Sequence, residues 1–189
     1  MTASLVEPQP IRAGGPPRLG PVVSRPIRLA AHAAALTLVP SGLWRIAVAL
    51  GVPSGFADGD ALNADNFPGA MSFYLIALSV AAELLGLLSL GLVQRWGETM
   101  PGWVPLLGGR RIPMLAAVVP AALGAAVVTA VTTWGALIWN GPENMGHPNS
   151  PDGIAYWVMT VCYAPLLLWG PLLATVTAAY YRRRRHHAR

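Results

Sequence analysis

IPMLAAVVPAALGAAVVTAVTTWGALIWN, residues 112–140, runs for 29 residues without a charge. About 20 apolar residues at ~1.5 Å each cross the ~30 Å of a bilayer's hydrocarbon. The run is continuous rather than alternating, which excludes a barrel strand. A backbone in lipid must satisfy its own hydrogen bonds, so the stretch predicts a transmembrane helix. Three further stretches read the same way: Leu29–Val52, Ala70–Val93 and Ile154–Tyr181. The expected fold class is all-α, a four-transmembrane-helix bundle.

Composition agrees with that expectation. The chain is 54% hydrophobic and 11% charged, whereas a soluble domain carries about 25% charged residues. All 13 basic residues are arginines. Twelve fall in three segments: Arg12, Arg18, Arg25 and Arg28; Arg95, Arg110 and Arg111; Arg182, Arg183, Arg184, Arg185 and Arg189. Between them lie two loops, Pro53–Gly69 and Gly141–Gly153, with Asp58, Asp60, Asp65, Glu143 and Asp152 and no arginine. The positive-inside rule then places both termini in the cytoplasm, N-in and C-in. Residues 1–28, rich in Pro and Gly, read as a disordered cytoplasmic tail, and 182–189 as a basic one. The first apolar stretch is too long for a signal-peptide h-region and is expected to be retained.

The net charge of +5 does not signal nucleic acid, because the arginines flank apolar spans. Their expected partners are anionic inner-leaflet lipids, met through Arg182, Arg183, Arg184 and Arg185. The single cysteine, Cys162, excludes an intrachain disulfide and the CxxC chemistry of quinone-linked thiol oxidoreductases.

Two charges interrupt the spans. Arg45 lies seven residues before the end of the first, about 10 Å deep, and Glu83 thirteen residues into the second, about 20 Å deep. The axial gap is roughly 9 Å. Helical side chains lean toward their own N-terminus, so in antiparallel helices these two lean toward each other. They are the candidate intramembrane polar pair. Thr37 and Ser41 share a face with Arg45, and Ser79 shares one with Glu83. The pair reads either as a clasp fixing the register of two helices or as a working site.

Span three carries small residues at i+4 spacing, Ala117, Ala121, Ala125, Thr129 and Thr133, a helix-packing stripe. Pro40, Pro120, Pro165 and Pro171 lie within spans and are expected to kink them. Asp58-x-Asp60 lacks the glycine and terminal glutamate of a calcium loop, and the histidines lack the spacing of a zinc site. No phosphate loop, GxSxG elbow or HExxH motif is present. The sequence therefore points to no catalytic residue, metal or cofactor.

The segment RWGETMPGWVPLLGGRRIP, Arg95–Pro113, is apolar yet broken by proline and glycine. Together with VPSGLWR, Val39–Arg45, it resembles a group of uncharacterised polytopic membrane proteins of actinobacteria. The likeness spans most of residues 29–140 and implies a bacterial inner-membrane bundle, with no functional residues to carry over. The expected function is an accessory, interaction or lipid-binding bundle, alone, as a homo-oligomer or beside a partner membrane protein. The alternatives are a small proton-coupled transporter using Glu83 and an intramembrane lipid-modifying enzyme, for which Glu98 is the sole interfacial acid.

Overall fold

The computed structural model describes residues 23–94 and 112–187. The tail before Val23 and the loop 95–111, with Trp96, Glu98 and Trp103, lie outside the described residues. The described residues are mostly helical, with no strand among them.

The first element, α1 (Arg25–Leu36), begins at Arg25 rather than Leu29. Pro26 explains the early start: its missing N–H falls in the first turn, where no intrahelical partner is lost. Pro40 then ends α1, since it cannot donate to the carbonyl of Leu36. The chain turns through Thr37, whose N–H donates to Ala33 O at 3.0 Å. It resumes as α2 (Val39–Ala49). The expected first span is therefore two stacked helices of 12 and 11 residues.

The helices α3 (Ala70–Gly91) and α4 (Met114–Leu137) are unbroken. Pro120 sits inside α4 on an exposed face without ending the helix. The last span divides at Pro165 into α5 (Gly153–Tyr163) and α6 (Leu166–His187). Pro171 lies within α6 without ending it. Arg182–Arg185, expected in a tail, extend α6 by a turn. Three segments are long and apolar enough to cross a membrane: Ala70–Gly91, Met114–Leu137 and the 33-residue Gly153–Arg185. This is the signature of a membrane protein.

The two broken spans, α1–α2 and α5–α6, lie between α3 and α4. α1 packs on α3 and α6, α2 packs on α3 and α5, and α4 lies against α6. Serine and glycine at heptad spacing, Ser72, Ser79 and Gly86, form the seam of α3. A Cβ on Gly86 would fall 2.6 Å from Leu38 Cδ1, so the glycine allows this close approach. Two apolar clusters hold the ends. Leu92, Val93, Val176 and Tyr180 gather near the arginines, the basic end; Trp44, Val48, Leu75 and Met159 gather near the acidic loops, the loop end. The acidic loops are tied together by Ala57 N donating to Asn149 O at 3.0 Å. Gly55 crosses there with φ +87°, and a Cβ would meet that of Ala155 at 2.6 Å.

Candidate functional site

Arg45 sits on the buried face of α2 and is 6% exposed. Its Nε donates to Ser79 Oγ at 3.1 Å, and its guanidinium lies over the Tyr163 ring, 5.8 Å from the centroid. Tyr163 is in turn held by aromatic neighbours. Trp44 meets it edge-on at 5.6 Å and Trp139 at 6.0 Å. Trp139 Nε1 donates to Thr160 Oγ1 at 3.1 Å. A delocalised guanidinium is weakly hydrated and stacks on aromatic faces, so an arginine suits this dry cluster better than a lysine would.

The expected contact between Arg45 and Glu83 is corrected. Both reach the α2–α3 interface, but Glu83 makes no hydrogen bond or ion pair with any described residue. Its Oε1 lies beside Gly42, 3.0 Å from where a Cβ would stand. Arg45 instead levels with Ser79, one turn toward the loop end. One turn is about 5.4 Å, and the opposed lean does not close it because Ser79 and Tyr163 hold the guanidinium. The other members of the expected polar face bond to their own helices. Thr37 Oγ1 donates to Ala34 O at 2.7 Å and Ser41 Oγ to Leu38 O at 3.0 Å. Ser79 does both: it accepts from Arg45 and donates to Leu75 O at 2.8 Å.

The sequence reading missed Tyr163. A signal existed, since it is a tyrosine deep in a span, and a buried phenol usually finds a polar or cationic neighbour.

The small-residue stripe of α4 divides. Ala117 and Ala121 pack on the basic-end cluster. Ala125 and Thr129 face Gly170, where a Cβ would come within 3.0 Å of Ala125 O and 2.9 Å of Thr129 N. Thr133 lies on the wall of a groove between α4 and α6, of about 770 Å³. Six of its thirteen lining residues are alanine: Ala122, Ala125, Ala126 and Ala130 from α4, Ala174 and Ala178 from α6. Leu137 marks the loop end and Tyr181 the basic end. The alanines on both helices leave the trough, and the larger Trp134, Leu137 and Tyr181 also line it.

The C-terminal arginines have two kinds of role. Arg183 Nη2 donates to Leu92 O at 3.1 Å, and Arg184 Nη2 to Ile112 O at 2.9 Å. Both guanidiniums lie over the buried Tyr180 ring, at 5.5 and 5.6 Å. Arg183 binds the carbonyl at the C-cap of α3, where a helix end leaves acceptors unpaired, and Arg184 binds the carbonyl two residues before α4. Arg182 and Arg185 are exposed. Among the described residues no group of three or more His, Cys, Asp or Glu could hold a metal.

No family model, curated protein or solved structure matches the chain.

Proposed function

We propose that the chain is a four-pass lipid-binding bundle of a bacterial plasma membrane, with both termini cytoplasmic and no enzymatic role. The arginine distribution supports the orientation. The stacked α1–α2 pair supplies the fourth pass: Arg25 to Ala49 spans about 37 Å at helical rise. The observation that carries the binding role is the α4–α6 groove. Its ~770 Å³ lies within the size range of small-molecule sites, and its wall is largely apolar. Lipid tails are as apolar as leucine, so what selects an occupant is close packing. An alanine trough supplies packing for one acyl chain. Ala126→Phe fills the trough with a ring and is expected to lower co-purified lipid about tenfold, an equivalent of 1.4 kcal/mol. Lipid extraction and mass spectrometry of the purified protein measure it; undiminished lipid in a folded variant refutes the groove.

One observation favours a second reading, the small proton-coupled transporter. Arg45 does not neutralise Glu83, so a carboxylate stands unpaired among the described residues at mid-span. Proteoliposomes with an internal pH dye test this directly. The reading expects wild-type protein, in the presence of a solute it carries, to dissipate an imposed pH gradient and Glu83→Gln to hold it; equal rates across a panel of organic cations and anions remove it.

A further inference from the structure

We infer that the α4–α6 groove selects an anionic phospholipid, with the acyl chain in the trough and the phosphate held by Arg182 and Arg185. This rests on the lipid-binding reading above and adds the headgroup class. The groove's α6 wall is built from two rows at i+4 spacing. Ala174 and Ala178 form one, Thr177 and Tyr181 the other. Extended by one turn, the first row arrives at Arg182 and the second at Arg185, both on α6. Residues four apart are neighbours along a helix, so both arginines continue these rows one turn past the groove's basic end. Helical side chains lean toward the N-terminus, a direction that leads from both positions back toward the groove, whose lining ends at Tyr181.

The other two arginines of the run face elsewhere. Arg183 and Arg184 are bound to Leu92 O and Ile112 O and stacked on Tyr180. Arg182 and Arg185 are exposed and make no hydrogen bond or ion pair with any described residue. Four successive arginines on a helix thus separate by face into a structural pair and a pair directed at the groove. The groove is apolar along its length and cationic at one mouth. An anionic lipid has that same division of chemistry: an apolar chain and a phosphate at one end. A second copy of this chain would have to bring an acidic patch to the same end, and on the proposed topology the acidic loops lie at the other.

The test uses full-length protein in detergent and native mass spectrometry with phosphatidylglycerol and phosphatidylcholine of identical chains. The expected result is a preference for phosphatidylglycerol of about thirtyfold, from roughly 1 kcal/mol per basic residue. It falls to near unity in R182A/R185A, while Ala126→Phe loses both lipids. Equal binding of the two lipids, with Ala126→Phe still losing both, overturns the headgroup assignment and leaves the groove reading intact. A preference that survives R182A/R185A also overturns it. Binding of both lipids unaffected by Ala126→Phe refutes groove and headgroup together. A dimer lost in Ala126→Phe without change in bound lipid assigns the groove to a second copy and overturns the proposal. R182A/R185A should melt like wild type, since both side chains are exposed.

Discussion

Gly170→Ala is expected to separate α4 from α6 and to be among the most damaging single-methyl changes in the chain. The added Cβ would meet Thr129 Oγ1, stand 2.9 Å from Thr129 N and lie 3.0 Å from Ala125 O. A side chain could rotate away, but two of these three atoms are backbone. The helices must therefore move apart, which also removes the floor of the groove. Overpacking costs about 1–3 kcal/mol where neighbours can adjust, and this contact is expected at or above the upper limit. Adding Thr129→Ala removes the hydroxyl but neither backbone atom, so it does not restore stability. Gly124→Ala is the control. It is another glycine inside a helix, on α4, with nothing within 4 Å of its added Cβ. There the substitution should be neutral or gain up to about 1 kcal/mol from reduced backbone freedom. Thermal unfolding of both variants in one detergent checks the ranking. Equal melting would show that α4 and α6 are not closely apposed at Gly170.

The helical character of this chain was open in its sequence because apolar runs in lipid admit few structures. Residues 112–140 are the plainest case: α4 occupies Met114–Leu137, and of its residues only Ala125 is buried. An all-round apolar helix with little burial is what lipid contact permits. Pair contacts were less legible, and Arg45 shows why. Depth and lean place it near Glu83, yet they say nothing of a third helix. Tyr163 comes from α5, 118 residues further on, and its ring competes for the guanidinium. Sequence spacing within two helices cannot reveal such a competitor. The seam of α3 was partly visible as Ser79 and Glu83, but buried positions follow a heptad, Ser72, Ser79 and Gly86. Glu83 lies off that line, half-buried beside Gly42. The separation of Arg182–Arg185 into two pairs needed α6 to continue past Tyr181, and a run of four arginines carries no apolar period from which to read that.

Ser79→Ala is expected to destabilise the bundle more than removal of the arginine itself. Ser79 Oγ accepts from Arg45 Nε at 3.1 Å and donates to Leu75 O at 2.8 Å. Alanine at 79 leaves the Nε of a 6% exposed guanidinium without its acceptor, a loss of about 1–3 kcal/mol, and more for a charged group. Leu75 O stays in its helix and loses only a second donor. Arg45→Met has the opposite consequences. The Ser79 hydroxyl keeps Leu75 O, so no donor is orphaned. Methionine also removes the insertion cost of an arginine near a helix centre, about 2.5–3.5 kcal/mol. Against that stands the lost stacking on Tyr163, about 2 kcal/mol for a desolvated cation–π contact. Arg45→Met should therefore insert and melt at or above wild type. The double variant should resemble Arg45→Met, because Ser79→Ala does harm only while the charge is present. A double-mutant cycle yields that coupling directly. If Arg45→Met melts as low as Ser79→Ala, the arginine is a clasp whose contacts outweigh its burial. If it melts like wild type, stability does not account for a charge held in this cluster, and the loss to look for in Arg45→Met is one of activity.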